Sequence, residues 1–248
     1  MKVSLVTACY NSEKDLEQTL KSVADQTYNN IEHVLVDGGS TDSTLDIIKR
    51  FDHVTNWVSE PDKGIYDALN KGVQMATGDV IGFVHSDDYL LDNTIIASVV
   101  EQLTAKPQVS AIYGDIIFVN DEGKTIRYYS SKSWSFKKMA VGKMPAHPSF
   151  FARKEVYDRY LFNLNYKIAA DFDHILRVSK DPEFSLEYIP LVTTAMRMGG
   201  ASTDGIKSNI RINKEILAIC KSNGVKSNYL KIYSKYPSRL LEFLKREK

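Results

Sequence analysis

Val80-Ile81-Gly82-Phe83-Val84-His85-Ser86-Asp87-Asp88 decides how this chain is read. A short run of strand character ends in paired acids. In an open α/β sheet, such a strand delivers its last residues to the edge where ligands bind. Two carboxylates there suit a divalent cation held against a diphosphate, because hard cations take oxygen ligands. The same aspartates would also serve as caps for a following helix. The tetrapeptide by itself leaves both readings open.

Upstream, strand and helix signals alternate. Residues 3–7 read as a buried strand. Asn11-Ser12-Glu13-Lys14-Asp15 then offers capping chemistry, and Leu16, Leu20, Val23 and Ala24 follow at helical spacing. Residues 31–36 form a second strand pattern, and 40–42 start a helix carrying Leu45, Ile48 and Phe51. Residues 54–58 read as a third strand. Ile65, Leu69, Val73 and Ala76 mark a third helix, ended by Gly78. Repeated β-α units of this length predict a mainly parallel sheet with helices on both faces.

Beyond Pro107 the pattern changes. Residues 111–119 and 125–129 flank Asn120-Asp121-Glu122-Gly123, a hairpin signal. Residues 130–146 read as an irregular loop, of a length that is functional or mobile in a compact domain. A return to the sheet is expected at 148–152, a helix start at 171–178 and a strand at 185–189. Gly199-Gly200-Ala201-Ser202 marks a turn, and 205–220 a helix.

The 248 residues are 43% hydrophobic and 25% charged, the proportions of an ordinary globular protein, with chain enough for one large domain and an appendage. No stretch reaches the roughly 18 to 20 apolar residues of a membrane span. Cys9 and Cys220 form no disulfide or metal framework, and no secretory leader is expected ahead of the first strand. A cytoplasmic setting fits. Residues 226–248 carry seven basic and two acidic side chains, a local net of +5 that leaves −4 for the rest. There Tyr229, Tyr233, Tyr236, Leu240 and Leu244 recur at helical spacing, with Pro237 interrupting. Such a face suits an anionic membrane surface, and equally a helix packed on the body with a solvated basic side. No nucleic-acid motif accompanies the charge, so no nucleic acid is expected as a partner.

Two more loops carry chemistry. Asp37-Gly38-Gly39-Ser40-Thr41-Asp42 permits a tight turn before the free N–H groups of a helix, and Asp37 could accept a hydrogen bond from a base or ribose. A plain capped turn is the alternative. Glu60-Pro61-Asp62-Lys63-Gly64 puts Lys63 where a cation could meet phosphate oxygens, unless it is a solvated loop lysine. Residues 8–13 contain no glycine. That opposes a dehydrogenase or nucleotidyltransferase, which would need a Gly-rich phosphate loop after the first strand. His147 could orient an acceptor or assist a diphosphate, or pack as a histidine before Pro148. For Arg197 a salt bridge is the simpler expectation.

Taken in order, the motifs resemble those of the family 2 glycosyltransferases. They are Ala8-Cys9-Tyr10-Asn11, Asp37 to Asp42, Ser59-Glu60-Pro61-Asp62-Lys63-Gly64-Ile65-Tyr66-Asp67-Ala68-Leu69-Asn70-Lys71-Gly72, and Ser86-Asp87-Asp88. Ala146-His147-Pro148-Ser149-Phe150-Phe151, Tyr166 to Phe172 and Gly199 to Thr203 continue the likeness, which covers about residues 1 to 205. It is similar in particular to bacterial enzymes that build colanic acid, capsule and O-antigen polysaccharides. The resemblance implies a GT-A (Rossmann-like) fold over 1–205, with a nucleotide-sugar half at 1–106, an acceptor half at 107–205 and a helical extension at 206–248.

It also implies transfer from a nucleotide-sugar, usually a UDP-sugar, to a lipid-linked glycan acceptor. Ala8, Tyr10, Asp37, Lys63 and Asp87 would bind the nucleotide-sugar, with Tyr10 packing on the base, Asp37 bonding it and Asp87 near the ribose. Asp88 would hold Mg²⁺ or Mn²⁺, and Asp171 would act as catalytic base; on the residues alone, Asp171 would cap the helix, with Asp173 solvated. The chemistry agrees: a diphosphate leaves once its charge is neutralised, and the attacking hydroxyl needs a carboxylate to take its proton. Direct displacement then inverts the anomeric centre. Two positions depart from the pattern. Ala170 stands where many relatives have Glu, and Met198 where many have a metal-assisting His. With no Gln-x-x-Arg-Trp stretch, single-sugar addition is expected at the inner face of the cytoplasmic membrane. A catalytically silent nucleotide-sugar or glycan-binding subunit is the alternative from another class.

Overall fold

The computed structural model describes residues 1–197 and 205–236. The alternating first half is present as read: β1 (Val3–Cys9), α1 (Leu16–Ala24), β2 (Ile31–Asp37), α2 (Thr44–Ile48), β3 (Asn56–Ser59), α3 (Ile65–Met75) and β4 (Val80–Phe83). A two-residue strand β5 (Tyr89–Leu90) and helix α4 (Ile95–Ala105) follow. The second half holds β6 (Ala111–Val119), β7 (Thr125–Tyr129), β8 (Phe150–Arg153), α5 (Lys154–Arg159), α6 (Ala170–Lys180), β9 (Leu186–Arg197), α7 (Gly205–Ser222) and α8 (Tyr229–Tyr233).

The strands form one sheet in the order β3-β2-β1-β4-β8-β6-β9-β5, with β7 also on β6. β1 to β4 are mutually parallel, as are β6 and β9, while β8, β7 and β5 run against their neighbours. The sheet is therefore mixed but mainly parallel. Its strands alternate their apolar residues between two covered faces, as a twofold side-chain period requires. Val6, Ala8, Ile81 and Phe83 pack with Leu69 and Val73 of α3, Ile175 of α6 and Ile219 of α7. Val3, Leu5, Val80 and Val84 pack with Ile95, Val99 and Leu103 of α4. Leu16, Leu20, Ile47 and Ile48 of α1 and α2 cover Cys9 and Leu35.

The departures from expectation have local causes. The third strand begins at Asn56 because Val54 closes the turn after α2, its N–H bonding Phe51 O at 3.0 Å. The strand expected at 148–152 begins at Phe150, since Pro148 sits in a 3₁₀ turn and has no N–H for the ladder. The final strand runs to Arg197, well past residue 189. Its Pro190 is accommodated by a bulge: Tyr113 pairs with Tyr188 and Asp115 with Val192, so three residues of β9 oppose Gly114 alone. A side chain at Gly114 would lie 2.3 Å from the Leu191 carbonyl oxygen, which is why this position carries none. α7 and α8 are packed on the body, burying Ile216, Ile219, Cys220 and Ile232 in the α3/α6 core. Tyr229, Leu230 and Tyr233 stay exposed. The turn at 199–202, Met198 and Thr203, and Pro237, Leu240 and Leu244 of the basic tail lie outside the described residues.

Candidate active site

Parallel pairing brings the strand ends to one edge. The register matches Cys9 with Asp37 and Asp37 with Ser59, and Val84 N donates to Val6 O at 3.1 Å. Ala8 is buried in β1, whereas Tyr10, two residues later, leaves 61% of its surface exposed. Between the loops, Asn11 N donates to Ser40 Oγ at 2.8 Å and Thr41 N to Asn11 Oδ1 at 2.9 Å. Asn11 takes a left-handed φ of 47°, which asparagine tolerates better than most residues. This clamp sets Tyr10 beside the glycine turn.

Asp37 is completely buried. Its Oδ2 accepts from Gly39 N at 3.1 Å, Ser40 N at 2.9 Å and Ser59 Oγ at 2.6 Å, while its Oδ1 accepts from Ser40 Oγ. Cys9 Sγ also donates to Oδ1, at 3.8 Å. The carboxylate thus organises its own loop and the adjacent strand end. Lys63 lies exposed with no ion pair among the described residues, its N–H donating to Asp67 Oδ2 at 3.0 Å.

Asp88 presents the reverse situation. It is 1% exposed, and neither carboxylate oxygen has a hydrogen-bond partner among the described residues. Burial, and next the charge of Asp87, push its pKa well up, while the backbone N–H of Arg197 and then its guanidinium charge oppose the rise without cancelling it. An isolated buried carboxylate is costly unless a cation or donors compensate it. The residue therefore fits a hard divalent ion that brings charge and takes oxygen ligands. The described residues contain no group of three potential metal-ligating side chains, so further ligands would come from substrate and solvent. The turn itself is rigidly held, with Thr19 Oγ1 of α1 donating to Asp88 O at 2.6 Å. Asp87 is half-buried beside it.

His147 is 4% exposed and stacks on Phe83 at 4.9 Å and on His85 at 5.8 Å between ring centroids. Burial, with His85 and His174 nearby, holds its pKa well below the usual value, so the ring is neutral. It is placed as a packing residue under β4, and its Nε2 has no hydrogen-bond partner among the described residues. Arg197 pairs with Asp15 at 3.2 Å and with Gln18.

Asp171 stands in the first turn of α6, which has no side-chain cap of its own. Burial pushes its carboxyl up to about 6, against the Phe172 N–H and the Tyr66 hydroxyl, which favour the charged form; Glu215 adds to the rise. Tyr66, at the start of α3, reaches α6 through its hydroxyl, which lies 3.1 Å from Asp171 Oδ1. Glu215, on α7, accepts from the backbone N–H of Lys167, Ile168 and Ala169 at 3.1, 2.9 and 3.0 Å. It caps the segment leading into α6 from another helix. Asp173, expected to be solvated, is 2% exposed and paired with Arg177 at 2.7 Å. The difference arises because the helix turns this position inward, next to Asn223. Tyr66 and Asp62 lay in a motif whose pattern marked them without assigning a role, and nothing near Glu215 in the chain signalled its position.

Residues 4–162 match the family model described as Glycosyl transferase family 2. The chain belongs to glycosyl transferase family 2. An uncharacterized glycosyltransferase of Mycobacterium tuberculosis is 36% identical to it over 182 residues, covering 71% of this chain and 68% of that protein. A PGL/p-HBAD biosynthesis glycosyltransferase of Mycobacterium bovis is 29% identical over 221 residues, covering 86% and 82%. Among solved structures, S. aureus TarS 1-349 in complex with UDP-GlcNAc shares a TM-score of 0.66 at 18% identity, over 98% of this chain and 73% of that one. Glucosyl-3-phosphoglycerate synthase of M. tuberculosis, with Mg²⁺ and UDP, shares 0.63 at 15% identity, over 92% and 80%. The family 2 chain is a glycosyltransferase, and its fold is GT-A.

Proposed function

We propose that this glycosyltransferase moves one sugar from a UDP-sugar to a hydroxyl of a lipid-linked glycan during assembly of a bacterial surface polysaccharide. The transfer inverts the anomeric centre and uses Mg²⁺ or Mn²⁺. The observation that carries this reading is the buried Asp88 carboxylate, without a hydrogen-bond partner among the described residues, at the strand edge shared with Tyr10 and Asp87. Asp88 would hold the cation, which when bound neutralises charge on the departing diphosphate. Asp171 takes the proton of the acceptor hydroxyl. A carboxyl with a pKa of about 6 is ionised near neutrality yet basic enough to accept that proton. Tyr10 supplies an aromatic face for the base, and Lys63 a mobile charge for the phosphates.

The basic segment 226–248 supports an acceptor at an anionic membrane surface on the cytoplasmic side. A relative named for PGL/p-HBAD biosynthesis is in keeping with that role. No described helix is long and apolar enough to cross a membrane. The test is UDP release from a panel of UDP-sugars with Mn²⁺ or Mg²⁺ and a lipid-linked acceptor. Turnover that falls by orders of magnitude in Asp88→Asn and Asp171→Asn supports the reading. Binding of a UDP-sugar without turnover, indifferent to Asp171→Asn, would leave a silent binding subunit instead.

A further inference from the structure

We propose that Asp62, rather than Asp37, reads the nucleobase of the donor: its Oδ2 accepts the imide N–H of a uracil ring laid against Tyr10. This rests on the donor site proposed above and names the group that selects its base.

Three observations carry the assignment. First, the Asp37 carboxylate has no free face. Its oxygens already serve Gly39 N, Ser40 N, Ser40 Oγ, Ser59 Oγ and Cys9 Sγ, and it is fully buried. A base could reach it only by breaking the loop that holds Tyr10 in place.

Second, another carboxylate occupies the space beside the same turn. A Cβ built on Gly38 would lie 2.6 Å from Asp62 Oδ2 and 3.4 Å from Tyr10 Cδ2. The acid and the exposed ring therefore flank one point above Gly38, and the missing side chain at that position leaves them room.

Third, Asp62 is oriented and half free. Its Oδ1 accepts Gly64 N at 2.7 Å, whereas its Oδ2 has no hydrogen-bond partner among the described residues. Asp62 is half-buried, and its loop is tied to the sheet by Glu60 N donating to Asp37 O at 3.0 Å. The outcome is an acceptor-only group fixed next to an aromatic face.

That chemistry discriminates between bases. A carboxylate offers lone pairs and no proton. Uracil presents an N–H at N3 and satisfies it, whereas cytosine presents a lone pair at N3 and opposes it. A site built to accept from the ligand leaves its polar group unpaired with the wrong base.

Calorimetric titration of the full chain with UDP and with CDP, both with Mg²⁺ present, tests this. The wild type is expected to prefer UDP. Asp62→Ala should weaken UDP binding about ten- to a hundredfold and CDP binding by less than about threefold, the loss of one charge-assisted bond. Gly38→Ala should act in the same direction. Its new Cβ displaces only the flexible end of Asp62, so the melting temperature should hold. Gly38→Asp in the Asp62→Ala background puts a carboxyl back into the same space and should recover part of the UDP preference, which a merely structural role would not produce. An unchanged UDP-to-CDP ratio in Asp62→Ala overturns the assignment while leaving the donor site standing. A wild type that binds neither nucleotide overturns the donor site, and this assignment with it.

Discussion

The Tyr66 hydroxyl oxygen lies 3.1 Å from Asp171 Oδ1 and 2.8 Å from the carbonyl oxygen of Ile168. A phenol has one proton, and the Ile168 carbonyl can only accept. With Asp171 ionised, the phenol divides its proton between the two acceptors. With Asp171 protonated, the acid donates to the phenol oxygen while the phenol keeps its bond to Ile168. The contact therefore serves both protonation states of the Asp171 carboxyl.

Tyr66→Phe and Glu215→Gln should move the acidic limb of the kcat profile in opposite directions. In the proposed role of Asp171 as base the active form is the carboxylate, so activity should rise as pH passes through about 6. The Tyr66 hydroxyl stabilises that carboxylate, and its loss shifts the limb to higher pH. The Glu215 charge opposes it, and its removal shifts the limb to lower pH. A pH-rate series on the three proteins decides the point; shifts of the same sign would contradict the geometry.

Mg²⁺ or Mn²⁺ should raise the melting temperature of the wild type and leave Asp88→Asn unmoved. A ligand that binds the folded state alone stabilises it in proportion to its occupancy. At a hundredfold excess over its dissociation constant, the gain is about 2.7 kcal/mol. Thermal melts with and without each ion, and with UDP, measure it without reliance on turnover.

Asp37→Ala should destabilise the fold by about 2 to 4 kcal/mol, since several buried donors lose their acceptor together. Asp62→Ala, at a half-buried site with one internal bond, should cost under about 1 kcal/mol. Urea unfolding of both variants separates the loop-organising acid from the one proposed to face the ligand.

Acid stability should depend on Glu32. Burial disfavours its charge, but Ser4 Oγ, Thr77 N, Lys2 and Thr77 Oγ1 outweigh that and hold its pKa at about 2, below the ordinary 4.5. A carboxyl depressed on folding stabilises the protein above its unfolded pKa, and the contribution fades as pH falls toward the folded one. Glu32→Gln should therefore cost about 2 kcal/mol near pH 7, with the difference closing as pH falls from about 4.5 to about 2. Chemical denaturation across that range checks both the size and the window.

Much of the first half of the chain was legible in the sequence because its information is local. Apolar runs broken by capping residues placed β1 to β4 and α1 to α3, and β-α repetition implied parallel strands sharing one ligand-binding edge. That alone brought Tyr10, the Asp37 loop, Lys63 and the Asp87-Asp88 pair to the same border. The hairpin at β6 and β7 was equally readable, because its turn residues are contiguous.

Tertiary structure decided the rest. β5 is two residues long and exists through its pairing with Ala195 and Thr194 of β9. His147 could have faced a ligand, yet the rings of Phe83, His85 and Phe162 enclose it. Asp37 and Asp88 are both acids at strand ends; one is saturated by its loop and the other has no partner among the described residues. Glu215 reaches the segment ahead of α6 from α7, and Asp62 fills the space that Gly38 leaves open. The physical reason is common to all of these. Periodicity and turn chemistry depend on neighbours in the chain, whereas burial and hydrogen-bond partners depend on which distant segments pack together.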